Sequence, residues 1–194
     1  VIMGKSDLID LVNKSVMPGM QGGPHNGTIA GITQALFEAD TKSFKDYSGK
    51  IIENAHFFAE ELKKYGFKLV SGGTDKHLIL IDLTNKGVGG KFAARALAYA
   101  GIVSNMNTIP YEKGSPVNPS GLRLGTPSIT TRGMGEEEIK MIAKWINDII
   151  GFIVNSRLKD LKFAEFNEKV QDLKIIKDIR EEVIKLCKKF PFKV

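Results

Sequence analysis

Only one of the 194 residues is cysteine, Cys187, so the chain cannot close an internal disulfide and its expected setting is a reducing, cytoplasmic one. Long apolar runs are missing. No stretch approaches the roughly 18 residues of a membrane span, and the opening residues lack a secretory pattern, so no membrane is expected as partner. Histidine is sparse: His25, His56 and His77 stand far apart with no metal-ligand spacing, and no metal site is expected. Phosphate-binding Walker loops, Rossmann glycine patterns, Ser/His/Asp arrangements, internal repeats and low-complexity tracts are likewise absent. The net charge is +6, yet lysines alternate with acids through residues 159–189, as on a solvated helix face, and Lys188–Lys189 is too short for a basic tract. Nucleic acid is therefore not an expected partner, whereas a mild cationic bias suits small anionic ligands.

What is present reads as strands flanked by helices, an α+β arrangement with a small antiparallel sheet. The opening residues read as a strand end and a turn at Gly4, then a short helix capped by Ser6 or Asp7. An apolar strand without a partner suggests a chain that starts inside a fold. Residues 17–27 hold four glycines and two prolines, which excludes regular helix or strand there. Residues 28–39 have the small, apolar pattern of a buried helix. Asp40 and Thr41 offer an N-cap to a long amphipathic helix over 43–65, with Ile51, Ile52, Ala55, Phe58, Ala59 and Leu62 inward and Gly66 ending it. "FKLVSGG" and "HLILIDL" read as antiparallel strands. A helix then closes at Gly101, a third strand starts near Ile102, and a polar loop follows over 105–120. "GLRLGTP" is a further short strand. Helices are predicted over 136–153, 158–173 and 177–190, the last stopped by Pro191, with Cys187 packed on its apolar stripe.

Two loops could carry chemistry. Gly22 and Gly23 lie just before a helix start, where bare N–H groups and the helix dipole favour an anion; the pair is a phosphate cradle or only a tight corner. Arg123 sits between Leu122 and Leu124, so strand alternation places it opposite both. A rigidly held arginine presents two N–H donors to a carboxylate, while an edge-strand arginine would merely face water. Residues 104–119 contain three asparagines, three prolines and one glycine, a mixture suited to recognising a heterocycle, or else a disordered loop. Glu136–Glu138 read as helix-dipole partners, and His56 as an ordinary helix residue.

"PGMQGGPHNGTIAGITQAL", "VSGGTDKHLILIDL" and "SGLRLGTPSITTRGM" resemble three successive signature stretches of the serine hydroxymethyltransferases, in that family's order and spacing. The similarity continues through "REEVIKLCKKFP" and covers essentially the whole chain. The resemblance implies a fold-type I transferase that depends on pyridoxal 5'-phosphate (PLP). Residues 1–39 would be the tail of its large PLP domain and 40–194 its small C-terminal domain. It implies serine, glycine and tetrahydrofolate as substrates, in one-carbon metabolism and glycine biosynthesis, and a homodimer or a tetramer. Arg123 matches the arginine that takes the substrate carboxylate. Gly22 and Gly23 match the loop that reaches the PLP phosphate of the other subunit. Asn107 matches an asparagine of the folate site, and Ser115 lies in the same loop. The family's Schiff-base lysine, in a T-H-K-T segment, has no match in these 194 residues, so this chain alone is expected to be inactive. A non-catalytic binding module derived from such an enzyme is the alternative. Another fold-type I PLP enzyme is a third reading, against which the Asn107 loop argues, since such enzymes hold no folate.

Overall fold

The computed structural model describes residues 3–192, and by its internal contacts the chain divides into two units, Val1–Lys45 and Asp46–Val194. The strand end expected at Val1 and Ile2 lies outside the described residues. In the first unit, α1 (Ser6–Lys14) begins a residue earlier than its expected cap requires. Ser6 is already helical, the N-cap position is Lys5, and no side chain caps the helix. The glycine- and proline-rich stretch is less irregular than its composition predicts. Residues Ser15–Met20 continue α1 as a widened turn around Pro18, with Met17 extended, and the turn closes on a bond from Gln21 N to Val16 O at 2.8 Å. Next, α2 (Asn26–Ala39) starts two residues before the predicted boundary. The expectation that this helix is buried does not hold within the chain: Ile29, Ile32, Leu36 and Phe37 are all exposed. An apolar pattern reports which surface favours cover, not whether the cover belongs to the same chain.

The long helix α3 (Lys42–Lys64) starts one residue before the predicted boundary, with Thr41 as the expected cap: its Oγ1 accepts a hydrogen bond from Phe44 N at 3.3 Å. Its C-terminus closes through Gly66 at φ +73°, with Gly66 N on Lys63 O and Phe67 N on Leu62 O, a left-handed ending that glycine adopts without strain. Ala55, Phe58, Ala59 and Leu62 are buried, whereas Ile52 stays half in solvent. The second unit is built on a four-stranded antiparallel sheet of β1 (Lys68–Leu69), β2 (Leu78–Asp82), β3 (Asn105–Asn107) and β4 (Gly121–Gly125), in the order β1-β2-β4-β3. The first strand is shorter than predicted because the chain turns at Val70–Gly72, where Ser71 takes φ 62°.

One sheet face is apolar. Ile79, Ile81, Leu122 and Leu124 are buried in a single cluster with Phe58 and Leu62 of α3 and Leu97 of α4 (Gly90–Tyr99). Ile139, Ile146 and Ile150 of α6 (Glu136–Asn155), Phe166 of α7 (Phe163–Val170) and Ile179 of α8 (Lys174–Lys189) complete it. Each such side chain contributes about 1.5–3 kcal/mol by leaving water. A short helix, α5 (Pro127–Thr131), went unforeseen because five residues carry no readable period. The helix predicted over 158–173 is split into a turn at Leu158–Asp160 and α7. Cys187 packs against the core, as expected of it.

Candidate functional site

The sheet's other face carries the polar residues. On β4, Arg123 is exposed while Leu122 and Leu124 are buried, which is the predicted alternation. The alternative of an edge-strand arginine is excluded, because β4 lies between β2 and β3. In register, Arg123 is flanked by Leu80 on β2 and Asn105 on β3. Its Nε donates to Asn105 Oδ1 at 3.1 Å. Among the described residues Arg123 makes no other side-chain hydrogen bond and no ion pair, so its terminal nitrogens remain available. Two residues along β4 on either side stand Gly125, exposed and open beside the arginine, and Gly121, which is buried. Gly121 is also required by close approach: a Cβ there would sit 2.5 Å from Asn107 O and 2.7 Å from a methyl of Ile109.

Asn107, expected in a loop, belongs to edge strand β3, as does Asn105; the predicted loop over 105–120 thus begins with three paired residues. The two asparagines share one face of β3, so Asn107 lies on the same side of the sheet as Arg123. Its Nδ2 donates to Thr108 O at 2.8 Å, which leaves its Oδ1 as an acceptor. Ser115 is exposed at a tight turn, where it bridges to Asn118 and its Oγ accepts from Val117 N at 3.3 Å.

Glu112, which composition alone did not mark, organises this loop. Its carboxylate accepts from Ser120 N at 2.9 Å, Ser120 Oγ at 2.8 Å, Gly114 N at 2.7 Å and Ile109 N at 3.3 Å. These donors, led by the Ser120 amide and hydroxyl and then the Gly114 amide, pull its pKa down to about 2. The readable signal was one acid placed among three prolines and a glycine. Asn105 is one of three asparagines in this stretch, and because asparagine is disfavoured in strands only the pairing with β4 reveals its place on β3. Beside Arg123, a shallow pocket is lined by His77, Val103, Ser104 and Asn105.

Gly22 and Gly23 belong to the first unit. They are exposed between the widened turn and α2, and no atom lies within 4 Å of a Cβ built on either. A concavity there is lined by Met17, Met20, residues 21–25 and the first turns of α2. The N-cap position of α2, His25, makes no side-chain capping bond. Among the described residues no cluster of three His, Cys, Asp or Glu could hold a metal, and no helix is long and apolar enough to cross a membrane.

The family model for serine hydroxymethyltransferase matches residues 3–146. The chain belongs to that family. It is 46% identical over 191 residues to the serine hydroxymethyltransferase of Acidothermus cellulolyticus, covering 98% of this chain and 42% of that protein. The Desulfotalea psychrophila serine hydroxymethyltransferase is 42% identical over the same length, covering 98% of this chain and 41% of its own. The mitochondrial serine hydroxymethyltransferase of Kluyveromyces lactis is 43% identical over 199 residues, covering 97% of this chain and 40% of that protein. The chain thus spans about two-fifths of these relatives' length and corresponds to their C-terminal portion. The helix-rich α+β unit with its antiparallel sheet agrees with that portion of a serine hydroxymethyltransferase.

Proposed function

We propose that this chain supplies the substrate-carboxylate and folate-binding part of a transferase that interconverts L-serine and glycine, passing the one-carbon unit to tetrahydrofolate with PLP. The observation that carries this reading is the Arg123 fork on an inner strand, its terminal edge uncommitted, on one sheet face with Asn107. Arg123 binds the amino-acid carboxylate through paired N–H donors and so orients the bond to be cleaved. Asn107 and Ser115 line the folate wall, where the free Asn107 Oδ1 meets a donor of the pterin ring.

The chain's residues fit part of PLP. Gly22 and Gly23 leave backbone N–H groups unshielded beside a helix start, the surroundings a phosphate needs, so these glycines would hold the phosphate. Bound PLP would supply an electron sink for cleavage at the serine side chain. In this reading residues 1–39 are the tail of the large domain and 40–194 the small one. The enzyme is a cytoplasmic homodimer in which the glycine loop serves the partner's phosphate. The exposed apolar residues of α2 support such a partner surface.

The test uses the complete protein that carries this chain. Asn107→Ala should lower folate-dependent serine cleavage at least tenfold more than folate-independent cleavage of a 3-hydroxy amino acid. Equal losses in the two reactions would remove the folate role. A complete protein that binds serine without converting it would favour the non-catalytic binding module instead.

A further inference from the structure

We propose that Asn105 is a positioning residue for Arg123, holding the guanidinium so that its two terminal nitrogens, and not its Nε side, face the substrate carboxylate. The inference rests on the reading of Arg123 as the carboxylate anchor. An arginine on a sheet surface can offer a carboxylate two different edges, the Nη1/Nη2 end or the Nε/Nη2 side, and it swings between them unless something occupies one. Here Asn105 Oδ1 takes Nε at 3.1 Å and closes the side edge.

The amide itself is held. Asn105 Nδ2 donates to Met106 O at 3.0 Å, so the carboxamide is satisfied at both ends only when its oxygen points at the arginine. The pairing is built into the sheet, since Asn105 and Arg123 are direct partners in the β3–β4 register. No competing partner comes from the other flank. Leu80, the register neighbour on β2, is apolar and can only support the aliphatic stem. Along β4, Gly121 and Gly125 carry no side chains. Among the described residues, Asn105 is the one side chain that hydrogen-bonds the guanidinium. Since Asn105 and Asn107 lie two residues apart on one strand, the strand that aims the carboxylate anchor also carries the folate wall.

A double-mutant cycle on the complete protein tests this, with serine and glycine affinity measured calorimetrically beside KM and kcat. Arg123→Ala should weaken both amino acids most. Asn105→Ala should raise KM and Kd by on the order of tenfold, the effect of one hydrogen bond to a charged group, and lower kcat as well, because a fork free to swing orients the bond to be cleaved less well. In the Arg123→Ala background, Asn105→Ala should add nothing, because a residue acting through Arg123 has nothing left to position. Asn105→Asp should weaken binding more than Asn105→Ala, since its carboxylate competes for the same guanidinium. Asn105→Ser carries the same test should the alanine variant not fold. In the present chain, the Arg123 Nε–H resonance should lose protection from exchange in Asn105→Ala. Additive effects in the double variant, or unchanged affinity in Asn105→Ala while Arg123→Ala binds weakly, would overturn the positioning role and leave the anchor standing. Unchanged affinity in Arg123→Ala would remove the anchor, and this inference with it.

Discussion

Glu112 is the residue whose chemistry the fold changes most. A solvated glutamate titrates at about 4.5, and four donors from its own loop bring this one to about 2. The sign follows from the direction. A carboxylate depressed by folding stabilises the folded loop above about 4.5, and that contribution is lost progressively as the pH falls toward 2. The Ser120 and Gly114 amide resonances should therefore titrate together, with a midpoint near 2. A midpoint near 4.5 would show that the cradle does not persist in solution. Glu112→Gln should abolish this titration and broaden the loop, because an amide nitrogen cannot accept from the N–H and O–H groups pointed at it. By that route the variant disturbs the surroundings of Asn107 and Ser115 without touching either.

Among the elements, α8 is anchored at its C-terminus by a residue outside it. Arg132 donates through Nη1 to Cys187 O at 3.3 Å and Phe190 O at 2.7 Å, and its guanidinium lies 4.0 Å from the Phe192 ring centroid. The last carbonyls of a helix have no partners of their own, so a cation placed there satisfies them and complements the dipole. Arg132→Ala should fray the last turn of α8 and cost about 1–3 kcal/mol, read as a lowered Tm and faster amide exchange near Phe190. Unchanged exchange there would assign the end of α8 to apolar packing alone. The amphipathic elements were legible: the 3.6-residue period placed α3, α6 and α8, and alternation placed β2 and β4. Short elements were not. α5 and β3 have five and three residues, too few for a period to stand out, and they form because neighbouring strands and helices supply their partners.

At the scale of the whole chain, the two units differ in how they bury apolar surface. The core of Ile79, Ile81, Leu122, Leu124 and the facing helices lies within the second unit, whereas α2 shows its apolar residues to solvent. The T-H-K-T segment in which the family resemblance leads one to expect a Schiff-base lysine is not among these 194 residues. The chain mixed with PLP should therefore retain no borohydride-reducible adduct at a single lysine after desalting. One defined adduct, located by mass spectrometry, would show that another lysine has taken that role.

The sequence by itself determined the family, through three ordered signature stretches. It also determined the α+β class and the outward direction of Arg123, since these depend on residue type and local period alone. Tertiary structure decided the rest. That β4 is an inner strand, that Asn105 stands across from Arg123, and that Glu112 gathers Ile109, Gly114 and Ser120 all depend on pairing and loop closure. A strand's period says which way its side chains point, but not which strand lies beside it. Register supplied the partner of Arg123, and with it the edge of the guanidinium that stays uncommitted.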